Sequence, residues 1–140
     1  TQGHTILVGY GRVGRELAKL LGDAGVPLAV IDNDVELVEQ ARADGFPAIR
    51  GNAAAIERLA MLTPAAASHA LIAIPQALEA GEIIAHLREA NPAMSILARA
   101  HSDAEVRHLL EQGADGAVLA ERELAHSMAE MVMSAPRPHP

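Results

Sequence analysis

Short apolar runs alternate along this chain with longer stretches in which apolar residues recur every three or four positions. The runs are residues 5–8, 28–31, 47–49, 70–74, 95–98 and 116–119. Each is too short for a helix and sits beside Gly, Pro, Asn or Asp, so each predicts a buried strand. Between them, Val13, Leu17, Leu20, Leu21 and Ala24 keep a helical period, as do Ala80, Ile83, Ile84 and Leu87, and then Val106, Leu109 and Leu110. Asn33 followed by Glu36, and Ser102 followed by Glu105, predict capping boxes at helix starts. Gly25, Gly45 and Gly113 fall where helix C-caps belong, and Asn91-Pro92 closes the fourth helix. A strand–helix unit repeated six times predicts an α/β fold with right-handed crossovers. The expected architecture is a Rossmann-like doubly wound sheet of six parallel strands, in the order 3-2-1-4-5-6, with helices on both faces.

The two ends fall outside this rhythm. Residues 1–4 read as a linker remnant and residues 135–140, with three prolines, as a tail or linker, leaving 5–134 as the domain. Just before that tail, Leu124, Met128, Met131 and Val132 form an apolar stripe on the last helix. The stripe either packs on the domain's own sheet or pairs with a second copy.

Composition narrows the function. A net charge of −7 and almost no aromatic residues exclude a nucleic-acid partner read by basic patches and base stacking. The absence of cysteine removes thiolate nucleophiles, disulfides and zinc–cysteine sites. No apolar run reaches the ~18 residues that a membrane-spanning helix needs.

The sharpest motif is Gly9-Tyr10-Gly11-Arg12-Val13-Gly14, which leaves an apolar strand and opens an amphipathic helix. Gly9 permits the tight turn, Gly11 admits a phosphate to the backbone, and Gly14 lets the helix pack close to the strand. The helix amides then face the anion, and Arg12 adds a charged contact. An acid belongs about 20 residues further on, at the end of the second strand. Asp32 lies there, 18 positions after Gly14, with Asn33 beside it. Its carboxylate suits the two ribose hydroxyls and repels a 2′-phosphate. The competing reading makes the glycines a packing turn and Asp32 a helix cap. Gly51-Asn52-Ala53 follows the third strand and belongs beside the adenosine, or else is a simple turn with an Asn cap. Ile74-Pro75-Gln76, after the fourth strand, belongs on the nucleotide's other side.

These segments, with Ala98-Arg99-Ala100 later, resemble the TrkA-N domain, also called the RCK N-terminal domain, and within it the domains attached to Kef-type monovalent cation:proton antiporters. The resemblance runs from about His4 to Met133. It implies an adenine nucleotide ligand, AMP or NAD(H), held by Gly9, Gly11, Arg12, Val13, Asp32 and the Gly51-Asn52 loop. It also implies an N-terminal transmembrane antiporter in the same full-length chain, a homodimer, and a place on the cytoplasmic face of a bacterial inner membrane. The family commonly carries Gly-Asp-Ala where this chain has Gly51-Asn52-Ala53.

Catalysis is not expected. The only Tyr is Tyr10 and the only Lys is Lys19, so no Tyr-x-x-x-Lys pair exists to move a proton. His101 and His108 are seven apart, not the four that places two metal ligands on one helix face. No catalytic or metal-binding residue is assigned. The alternative is an NAD-dependent oxidoreductase domain lacking its substrate domain.

Overall fold

A computed structural model describes residues 3–134. Six strands, β1 (Thr5–Val8), β2 (Leu28–Asp32), β3 (Ala48–Arg50), β4 (His69–Ile72), β5 (Ser95–Ala100) and β6 (Gly116–Leu119), form one sheet in the order β3-β2-β1-β4-β5-β6. Every neighbouring pair is parallel. The helices between them are α1 (Arg12–Asp23), α2 (Val35–Ala43), α3 (Ile56–Ala60), α4 (Ala77–Ala90) and α5 (Asp103–Gln112), and α6 (Ala120–Ser134) follows β6. The expected topology is the observed one.

Strand alternation decides which helix covers which face. From β1, Ile6 and Val8 point to one side, where Ile83, Ile84 and Leu87 of α4 and Leu109 of α5 close the core. Leu7 points to the other, against Ala18 of α1, Val38 and Ala41 of α2, and Tyr10. Strand residues on both faces are buried, as in a sheet covered on both sides.

Several expectations shift. His4, expected in a linker, is buried, and its Nε2 lies 2.7 Å from the Leu62 carbonyl. Gly3 is also tied in, its N–H donating to Ala66 O. The tail at 135–140 lies outside the described residues. The capping residue of α2 is Asp34, whose Oδ1 accepts from Glu36 N, not Asn33. A carboxylate is the stronger acceptor for an orphan N–H, and β2 runs one residue further than expected, to Asp32. Ser102 caps α5 as predicted, but Glu105 reaches back to the His101 N–H, so the box is not reciprocal. Gly25, Gly45 and Gly113 all take positive φ at their helix ends.

On α1 the apolar pattern overstates burial. Gly14 and Ala18 are buried, whereas Leu20 is 59% exposed. The α6 stripe does not pack on the sheet. Leu124, Met128, Met131 and Val132 are all exposed, and α6 has no buried residue. It follows β6 with no intervening loop. No helix among the described residues is long and apolar enough to cross a membrane.

The far edge of the sheet is clamped by Arg88 of α4. Its guanidinium donates to Gly113 O, Pro92 O, Met94 O and the Asp115 carboxylate. Asp115 also accepts from Ile96 N at 2.7 Å. That main-chain bond first, and Arg88 with it, holds the Asp115 carboxyl below the ordinary aspartate range. A carboxyl with a lowered folded pKa stabilises above its unfolded value, and the contribution is lost as pH falls through the folded value. Asp115→Asn is therefore expected to lower the melting temperature at neutral pH. The deficit should shrink below about pH 4, near the unfolded aspartate pKa. A deficit independent of pH in calorimetric melts would refute the charge's role.

Candidate functional site

Along the carboxyl ends of β1, β2, β3, β4 and β5 lies a cleft of about 740 Å³. That is within the ~300–1,000 Å³ common for small-molecule sites. It sits where the strand order reverses between β1 and β4, the switch point at which doubly wound sheets bind ligands.

The glycine loop forms its floor. Gly9 has φ +100°, which favours glycine, and its N–H donates to Ile31 O. A Cβ on Gly14 would lie 1.9 Å from the Gly9 carbonyl oxygen, so helix and strand backbones touch there. Gly11 differs: a Cβ would meet nothing within 4 Å, and the residue lines the cleft with Arg12 and Val13. No side chain caps the start of α1, and its first turn carries no acid. Its free N–H groups form an anion-ready end.

Asp32, at the tip of β2, accepts from Tyr10 N at 2.7 Å and from Asp34 N at 2.8 Å. The carboxylate thus pins the glycine loop to β2 and steadies the start of α2. An ionised carboxylate offers about four lone-pair positions, so two remain for hydroxyls in the cleft. Packing and binding readings of Asp32 are both compatible with this geometry. Asn33 lines the cleft beside it.

Gly51, Asn52 and Ala53 form the wall beyond β3. Asn52 Oδ1 accepts from Ala54 N, which leaves its amide NH₂ as a donor. Gly51 also sits against the exposed Arg58 side chain, which would have to shift to admit a Cβ, since the two would lie 2.8 Å apart. Ile74 and Pro75 line the opposite wall.

Two of the residues expected at the site do not line this cleft. Gly14 is consumed by packing. Tyr10 offers only its main chain to Asp32; its ring is buried and its hydroxyl donates to Asp44 at 2.6 Å. Burial first, and the Asp44 carboxylate next, push the phenol well above its usual pKa, so it stays protonated. The ring faces a second groove with Phe46, Arg15 and Lys19.

Gln76 lines the cleft beside Pro75, whereas sequence reasoning missed Glu79 in the first turn of α4 and Arg99 near the end of β5. Arg99 was visible only as part of a family-like segment. A lone basic residue at a strand's carboxyl end, on the cleft side of the sheet, was the available signal. Among the described residues no cluster of three or more metal-ligating side chains occurs.

The fold and the cleft define a Rossmann-like α/β domain with an open cleft along the carboxyl end of its parallel sheet. The chain belongs to the TrkA-N domain family, whose model matches residues 5–120. It is 41% identical over 133 residues to YbaL of Escherichia coli (strain K12), classed with the cation/proton antiporters. That match covers 95% of this chain and 24% of YbaL, so the chain spans about a quarter of that relative. The crystal structure of the TrkA-N domain of inner membrane protein YbaL superposes with a TM-score of 0.88, covering 94% of this chain and 98% of that one. At lower identity the fold recurs in the GsuK channel bound to NAD (20% identical, TM-score 0.82, covering 91% of this chain and 23% of that chain). It recurs also in the Shewanella denitrificans Kef C-terminal domain in AMP-bound form (23%, 0.79, covering 94% and 80%).

Two glycine substitutions separate packing from access. Gly14→Ala is expected to lose about 3 kcal/mol of stability, because neither backbone can yield. Gly11→Ala should lose about 1 kcal/mol or less, the difference between Gly and Ala at an N-cap. Denaturant titrations of both variants measure this, and equal losses would contradict the assignment.

Proposed function

We propose that this chain is the regulatory nucleotide-binding domain of a cation:proton antiporter, held on the cytoplasmic side of the membrane, and that it senses an adenine nucleotide, AMP or NAD(H), without catalysing a reaction. The observation that carries this reading is the pairing of an uncapped helix start with a half-satisfied carboxylate across one cleft. The first suits a phosphate and the second a ribose. The likeness to YbaL supports the antiporter context, with a transmembrane part elsewhere in the full-length chain as the partner that responds. The protonated Tyr10 phenol, turned into the other groove, supports a binding role over hydride transfer.

Nucleotide binding shifts transport only through a difference in affinity between two arrangements of the domain. The exposed α6 stripe supplies a surface for such arrangements, and we assign it to a homodimer through Leu124, Met128, Met131 and Val132.

Isothermal titration with AMP and NAD⁺ tests the ligand. Saturable binding is expected, and Gly11→Ala should weaken it at least tenfold because its Cβ enters the cleft where the phosphate lies. Asp32→Ala should cost on the order of 1.5–3 kcal/mol, the range for hydrogen bonds to a charged group. No binding by the unaltered chain, or full affinity in Gly11→Ala, overturns the reading. For the dimer, Met128→Glu should convert a dimeric mass in sedimentation to a monomeric one. A monomeric unaltered chain would refute that role for α6.

A further inference from the structure

The two half-buried arginines, Arg88 on α4 and Arg99 near the end of β5, are treated in opposite ways. Arg88 is saturated: main-chain carbonyls and the Asp115 carboxylate take its protons at distances down to 2.6 Å. Arg99 lines the cleft and has only two long contacts. Its Nη1 donates to Ala73 O at 3.3 Å, and its Nη2 lies 3.3 Å from His101 Nε2. Glu105 approaches the His101 ring at Nδ1, 3.2 Å away, so the ring proton sits there and Nε2 accepts from Arg99. Among the described residues no carboxylate pairs with Arg99. A guanidinium offers five donors in a rigid fork, and a half-buried one with two long neutral acceptors still lacks an anion.

Its position says which anion. Asp32 ends β2 and Arg99 lies near the end of β5, three strands away in the sheet. At ~4.8 Å per strand that is roughly 14 Å. A ribose held at Asp32 places its own 5′-phosphate over β1, on the start of α1. The next group along the ligand then passes over β4 towards β5. The main-chain contact to Ala73 O holds the Arg99 fork over that path, at the wall that Ile74 and Pro75 continue.

We propose that Arg99 binds the second phosphate of the ligand, so that the cleft prefers a nucleoside diphosphate or a dinucleotide to a nucleoside monophosphate. This rests on the nucleotide reading above and narrows it. His101 is a positioning residue that parks the fork, and its long contact is exchangeable for a bidentate phosphate pair.

Titration of the 140-residue chain with ADP, NAD⁺ and AMP tests this. The unaltered chain should bind ADP and NAD⁺ at least tenfold more tightly than AMP. Arg99→Gln should erase that preference, losing tenfold or more for ADP and less than threefold for AMP. Arg99→Lys, which keeps the charge without the fork, should fall between them; it also serves if the glutamine variant does not fold. AMP binding with no preference for ADP, or equal losses for both ligands in the Arg99 variants, overturns this inference and leaves the nucleotide reading standing. Failure of the unaltered chain to bind any of the three overturns both.

Discussion

The approach of two backbones, the amino end of α1 against the carbonyl of Gly9, is the constraint from which the rest of the site follows. Gly14 has no room for even one methyl group, so α1 stands as close to β1 as a helix can. That closeness sets the amides of the first turn above the strand ends, with no side chain capping them. The loop connecting the two is tied to the neighbouring strand twice, at Gly9 N by the Ile31 carbonyl and at Tyr10 N by the Asp32 carboxylate. Main-chain contacts and one hydrogen bond to a charge thus fix the floor and the rim together.

The same economy explains why Asp32 resists a single label. A carboxylate at the end of a parallel strand meets main-chain N–H groups from the loop on one side and from the following helix on the other. It stabilises both by charge-assisted bonds and keeps lone pairs directed at solvent in the cleft. In the proposed reading one group serves both packing and recognition, and a substitution there would disturb both. Gly11 is the position at which they part, since nothing in the fold depends on its bareness.

The strands, their order and the glycine loop were legible in the sequence because each depends on local pattern: short apolar runs, a 3.6-residue period, glycine where a Cβ cannot fit. What was not legible depends on the far end of a side chain. Tyr10 lies inside the motif, yet its ring turns to Asp44, 34 residues on. Asp34, not Asn33, caps α2 because a competition between neighbouring acceptors is settled by charge. Arg99 reaches the cleft only because β5 lies next to β4 in the sheet, a neighbour relation that no short window of residues contains. Leu20 keeps helical period and is still exposed, for periodicity tells which face a residue shares and not whether anything covers it.

The direct join of β6 to α6 has a mechanical meaning. A helix that leaves a strand without a flexible segment behaves as a lever arm fixed at Leu119, and that residue is in register with Ala100 of β5, just as Val118 is with Arg99. Torque on the outer end of the arm reaches the strand that carries the guanidinium without passing through the core.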